Sequence, residues 1–109
     1  MKELLNNLKL TINELSKKNP EGLKKFNEFM ECVLKNGSLD TKTKELIAIG
    51  IAVALRCPYC IGGHTEKALK AGATEDEIYE AGMVAVLMAG GPALTYITEL
   101  KKAIELFKK

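Results

Sequence analysis

The stretch Ile47-Ala48-Ile49-Gly50-Ile51-Ala52-Val53-Ala54-Leu55, which runs uncharged almost to Cys57-Pro58-Tyr59-Cys60, decides between two folds. Large and small side chains alternate along it, so it suits a buried strand as well as a buried helix. A strand feeding a C-x-x-C pair would point to a thioredoxin-like domain. A strand, however, must satisfy its backbone groups on neighbours, and a thioredoxin-like sheet needs several of them. No other stretch of the sequence offers a convincing partner. Residues 41–55 are therefore expected to form a helix whose small side chains allow close packing, and the fold class to be all-α.

The remaining punctuation supports about six helices. Leu4, Leu5, Leu8, Ile12 and Leu15 recur at helical spacing over residues 3–17. Asn19-Pro20 reads as a cap followed by a first-turn proline, opening a second helix in which Leu23, Phe26, Met30, Val33 and Leu34 face inward. Asn36-Gly37 ends that helix, and Ser38 or Asp40 can cap the third. Gly72 followed by Thr74-Glu75-Asp76-Glu77 combines a glycine stop with a capping box, and Gly90-Gly91-Pro92 breaks the chain before a last lysine-rich amphipathic helix. The 109 residues suffice for one core, so a single domain over 1–109 is expected.

Two of these helices, 41–55 and the segment from Ile78 to Ala89, are apolar nearly all round. A helix without a polar face must be buried on every side, which a chain this short can hardly achieve alone. An obligate homo-oligomer is the expected result. Cys32, within an apolar helix face, is expected to be a small buried hydrophobe, and Tyr59, Met30, Met83 and Met88 to serve packing. Glycine inside a helix costs about 1 kcal/mol relative to alanine. Gly62-Gly63 therefore implies close approach of a neighbouring helix or a path for substrate.

Charge excludes some functions. Lysines and glutamates are interspersed and the net charge is only +2, so no basic stripe exists to follow a phosphate backbone and no nucleic acid partner is expected. Met1-Lys2-Glu3-Leu4-Leu5-Asn6-Asn7 breaks apolar character too early for a secretory signal. No uncharged apolar run approaches the roughly 20 residues that cross a bilayer, so no membrane association and a cytoplasmic location are expected. In that reducing compartment a C-x-x-C pair is catalytic or metal-binding more often than structural.

The chemistry gathers in Cys57-Pro58-Tyr59-Cys60-Ile61-Gly62-Gly63-His64, which holds the chain's one histidine. Positions i, i+3 and i+7 share a helix stripe, so both thiols and the imidazole can lie on one side. Cys57 falls where one helix stops and the next starts, with Pro58 suited to the first helical position; unpaired N–H groups there favour thiolate. His64, one turn beyond Cys60, can take a thiol proton or protonate a leaving hydroxide. One cysteine is expected to attack an oxidant and the other to close a disulfide. The residues alone leave open which reacts first. Glu45, twelve residues before Cys57, can orient His64, or it can be a first-turn charge in water. Cys32, Cys57, Cys60 and His64 could instead form a Cys3His zinc site, as in a zinc-stabilised interaction module.

Leu39-Asp40-x-Lys42-x-Lys44-Glu45-Leu46-Ile47, then Cys57-x-x-Cys60-x-x-x-His64, then Ala68-Leu69-Lys70-Ala71-Gly72-Ala73-Thr74-Glu75-Asp76-Glu77-Ile78 resembles the carboxymuconolactone decarboxylase and alkyl hydroperoxidase D family over about residues 26–100. The resemblance implies an all-helical fold assembled as a trimer or hexamer. Members without the cysteines act on a lactone acid, whereas C-x-x-C members are hydroperoxide reductases, the group this chain resembles. On that likeness Cys60 is the peroxidatic thiol, assisted by His64 and Glu45. Cys57 is then the resolving thiol that meets the reductant, a thiol protein or a dihydrolipoyl group such as dihydrolipoamide. The substrate is a small hydroperoxide, and no bound cofactor or metal is required. Alkyl hydroperoxidase D carries a second histidine directly before the later cysteine, where this chain has Tyr59, a poor base near neutral pH. The substitution implies slower exchange at Cys57 or a different reductant. A general thiol-disulfide oxidoreductase and a lactone-acid decarboxylase are the neighbouring alternatives.

Overall fold

The computed structural model describes residues 1–109 as six helices with no strand: α1 (Lys2–Lys18), α2 (Pro20–Leu34), α3 (Thr41–Leu55), α4 (Pro58–Lys70), α5 (Glu75–Ala89) and α6 (Gly91–Phe107). Their boundaries follow local chemistry. Asn19 caps α2 by accepting from the Gly22 N–H at 3.2 Å, with Pro20 at the first helical position. Asp40, rather than Ser38, caps α3 through the Thr43 N–H at 2.8 Å. Thr74 and Glu77 form the reciprocal capping box of α5.

The ambiguous apolar segment is helix α3, and it lies at the centre, against α4, α5 and α6. Ile49 and Val53 of α3 meet Ile61 and Ala68 of α4, Ile78 and Ala85 of α5, and Leu100, Ala103 and Ile104 of α6 in one buried cluster. Burying a side chain such as Leu100 contributes about 1.5–3 kcal/mol. Gly82 lets α5 and α6 approach, since a Cβ there would stand 2.8 Å from both Ile97 Cδ1 and Leu100 Cδ2. Lys42 of α3 reaches Glu77 of α5 at 2.9 Å, a half-exposed ion pair.

The α1–α2 hairpin departs from expectation. Neither helix buries a residue: Phe26 and Val33 are exposed rather than turned inward, and Cys32 is exposed rather than part of a core. Helical spacing marks an apolar face without saying that the same chain covers it, and α2 packs mainly on α1 and the edge of α3. The hairpin is moored at three points. Lys44 Nζ donates to the Val33 and Lys35 carbonyls at 2.8 and 2.7 Å, Met1 and Leu5 sit over Gly62, and Lys67 Nζ touches Met30 Sδ at 3.4 Å.

One side of α3 and α5 also remains uncovered. Ile47, Ile51, Leu55, Val84, Leu87 and Met88 are exposed, and the two helices enclose an apolar groove of about 470 Å³. Met83 and Tyr59 are exposed as well, so these two and Met88 do not pack within the chain as expected. No helix is long and apolar enough to cross a membrane.

Candidate active site

The site is made by the corner between α3 and α4. Arg56 adopts a left-handed conformation (φ 57°, ψ 50°) and its N–H donates to the Val53 carbonyl, while the Cys57 N–H donates to the Ala52 carbonyl, both at 3.1 Å. This pair of bonds closes α3 and reverses the chain. Cys57 then caps α4, its Sγ accepting from the Cys60 N–H at 3.2 Å, and Pro58 fills the first helical position, where no N–H partner is needed. Cys57 and Cys60 are joined by a disulfide, with Cα atoms 5.3 Å apart, well inside the span such a bond bridges. Both are half-buried.

Glu45 stands one turn into α3 and is 2% exposed, so it is not a charge in water. Its Oε1 lies 2.6 Å from Nδ1 of His64. A buried carboxylate needs a donor, and this contact supplies it. The bond assigns the proton to Nδ1 and leaves Nε2 as the free acceptor of the ring, whose side chain is 24% exposed. His64 makes no hydrogen bond to either sulfur in this oxidised form, in which the sulfurs carry no proton to share. It stands one turn after Cys60 on the same face of α4.

That face continues. Gly63 and Lys67 share the stripe with Cys60 and His64. A Cβ at Gly62 would press on Leu5 at 2.8 Å, whereas a Cβ at Gly63 would meet nothing within 4 Å. Close packing therefore explains one glycine of the pair and not the other. Lys67 was not singled out by sequence, although its spacing of seven from Cys60 places it on the stripe.

No three His, Cys, Asp or Glu side chains converge to hold a metal ion, and Cys32 is exposed on α2. Two of the three titratable groups with shifted behaviour lie at helix starts. Hydrogen bonds from Thr43 hold the Asp40 carboxyl below the usual carboxylate range, and the Thr74 backbone, with Lys42, does the same for Glu77. Burial, reinforced by Glu105 and Glu75, raises Tyr79.

Comparison with known proteins agrees with the six-helix fold. A crystal structure of a carboxymuconolactone decarboxylase family protein from Legionella pneumophila superposes with a TM-score of 0.95 at 39% identity, over 99% of this chain and 96% of that one. A Thermotoga maritima protein of the same family, described as having a possible part in the antioxidative response, gives a TM-score of 0.76 at 29% identity over 95% and 86% of the two chains. An uncharacterised protein of the Paracoccus denitrificans cox locus is 41% identical over 65% of this chain and 64% of its own length. One from Cupriavidus necator is 30% identical over 91% and 88%. The model of the carboxymuconolactone decarboxylase family matches residues 20–102, and the chain belongs to that family.

Proposed function

We propose that the protein is a thiol-dependent hydroperoxide reductase whose Cys57–Cys60 pair cycles between dithiol and disulfide. The observation that carries this reading is a disulfide at the start of α4 with a buried carboxylate–imidazole pair one turn along. In the forward step the Cys60 thiolate attacks the terminal oxygen of R–O–OH. The S–O bond forms as the O–O bond breaks, sulfur gives up two electrons, and the departing alkoxide takes a proton delivered by His64. Glu45 orients the ring through its contact with Nδ1. The Cys57 thiol then displaces hydroxide from the sulfenic acid, forming the disulfide and, with a proton, water. An external dithiol, a thiol protein or dihydrolipoamide, returns two electrons by exchange at Cys57. No metal or bound cofactor enters these steps.

The uncovered α3–α5 face fits a second copy of the chain, and assembly into a trimer or hexamer is part of the reading. Light scattering at micromolar concentration should find no stable monomer.

To test the chemistry, reduced protein is mixed with one equivalent of hydroperoxide and its sulfurs are mapped. Loss of two thiols with a Cys57–Cys60 peptide supports the proposal, and sulfinic acid on a single cysteine counts against it. Steady-state consumption of hydroperoxide with dihydrolipoamide should fail in Cys57→Ser, Cys60→Ser and His64→Ala, whereas a lactone-acid decarboxylase would survive Cys60→Ser. One observation favours a second reading, a general thiol-disulfide oxidoreductase. Tyr59, between the two cysteines, is 46% exposed and offers a flat contact for a protein disulfide. Comparing rates with hydroperoxide and with a model disulfide separates the two.

A further inference from the structure

Lys42, Lys44 and Lys67 are the lysines of this chain that are not exposed. Two of them have oxygen partners: Lys42 pairs with Glu77, and Lys44 caps the carbonyls at the end of α2. The recorded contact of the Lys67 ammonium is a thioether, Met30 Sδ, at 3.4 Å. A half-buried ammonium loses hydration, and a thioether is a weak acceptor that brings no charge. No carboxylate pairs with Lys67: its chain neighbour Glu66 turns to Lys70 at 3.6 Å, and Glu45 is held by His64 at 2.6 Å.

Lys67 stands on the stripe of the reacting groups. It is three residues beyond His64 and seven beyond Cys60, which is about 10 Å along the helix axis. Helical side chains lean toward the N-terminus, so this one leans back toward the cysteines. Between them lies Gly63, where a Cβ would meet nothing within 4 Å. In a helix interior such a glycine is unfavourable, and no packing within the chain requires it. Along α4 the stripe therefore runs from a thiol (Cys60) past a bare stretch of backbone (Gly63) and an imidazole (His64) to an ammonium without an oxygen partner (Lys67).

We propose that Lys67 anchors the negative end of the substrate, so that the hydroperoxides taken here carry a carboxylate about one aromatic ring away from the peroxide. The inference rests on the hydroperoxide reductase reading and names its substrate class. Gly63 gives the body of such a molecule its place along α4. The peroxide end meets Cys60 and His64, while the carboxylate replaces Met30 as the partner of the ammonium. Cys57, at the opposite end of the stripe, stays free for the reductant.

The test compares cumene hydroperoxide with its 4-carboxy derivative, molecules that differ by the anion alone. Wild type should favour the carboxylated compound in kcat/KM by tenfold or more. Lys67→Gln should reduce that preference at least tenfold, chiefly through KM, and Lys67→Arg should restore most of it. Added salt should weaken the preference. Equal treatment of the two peroxides by wild type, or a preference unchanged in Lys67→Gln, overturns the proposal. So does a change of oligomeric state in Lys67→Gln, which would give the cation to a subunit interface.

A binding measurement separates failure of this inference from failure of the reading beneath it. The unreactive 4-isopropylbenzoate should shift the His64 ring signals in the NMR spectrum of wild type and not of Lys67→Gln. If it does so while neither peroxide is consumed, the anion site stands and the peroxidase reading falls. If both peroxides are consumed alike and the benzoate does not bind, the peroxidase reading stands and the anion site falls.

Discussion

Replacing Glu45 by glutamine keeps the shape of a residue that is 2% exposed while removing the charge that holds His64. The carboxylate accepts from Nδ1 at 2.6 Å, which fixes the ring and leaves Nε2 as its free acceptor. Glutamine can turn either its oxygen or its amino group toward Nδ1; the second choice moves the ring proton to Nε2 and removes the free acceptor. A hydrogen bond to a charged group contributes about 1.5–3 kcal/mol. If that stabilisation is used when the imidazole gains and passes a proton, its loss slows thiol oxidation by about 10- to 150-fold. The assay is stopped-flow oxidation of the reduced dithiol by excess hydroperoxide, from about pH 5 to 9, to span the range in which histidine titrates. Urea unfolding of the same samples measures stability, which should change by about 1 kcal/mol or less because the lower cost of burying an amide than a carboxylate offsets the weaker hydrogen bond. A rate within twofold of wild type at every pH would refute the role of the pair. A loss of rate fully accounted for by unfolding would reduce Glu45 to a packing residue.

Four further outcomes are expected. Gly82→Ala should lower stability by about 1–3 kcal/mol through overpacking against Ile97 and Leu100, whereas Gly63→Ala, with open space around it, should raise it by up to about 1 kcal/mol; urea denaturation of both checks the contrast. Arg56→Gly should stabilise by about 1 kcal/mol by relieving a left-handed non-glycine residue, read as a higher melting temperature. Thr65→Val should stabilise by about 1 kcal/mol, since the Thr65 hydroxyl is fully buried with no protein partner, and an unchanged or lower denaturation midpoint would contradict this. The Asp40 and Glu77 carboxyls are held below their ordinary values, so their contribution is present above the unfolded-state values of about 4 and is lost as pH falls through the folded ones. Melting temperature should therefore decline on acidification below about pH 5, less steeply in the Asp40→Asn, Glu77→Gln double variant.

How far sequence reaches depends on whether a feature is local. Helix starts at Asn19, Asp40 and Thr74 and the corner at Cys57 are written in residues adjacent to their effect, and the structure bears them out. The choice of helix for 41–55 required only the absence of partner strands elsewhere. Burial in α2 was less accessible: the periodicity of Phe26, Met30 and Val33 gives an apolar face, while what lies against that face is a tertiary fact. Glu45 shows the same limit. Its place in sequence fits a solvated first-turn charge, and only the packing of α4 against α3 brings His64 to it. Gly62 and Gly63 are adjacent and chemically identical, yet Leu5 lies over one and nothing lies over the other.

The residues that break local rules are concentrated along one corner of the fold. Arg56 adopts a conformation that favours glycine, Glu45 is a buried acid, Thr65 hides a hydroxyl without a protein partner, Gly63 interrupts α4 without a packing reason, and Lys67 keeps an ammonium half-buried against sulfur. Each costs on the order of 1 kcal/mol or more against an ordinary substitute. The capping box, apolar contacts and helix starts elsewhere follow propensity closely. Folding alone would favour replacing the five residues, because none of their exceptions is needed to form six helices. Their one shared location is the pair of helices that carries the Cys57–Cys60 bond. Stability given up so consistently around two sulfurs and an imidazole is what a reactive site requires, and it is the reason to expect that several stabilising variants made here will lose activity as they gain in melting temperature.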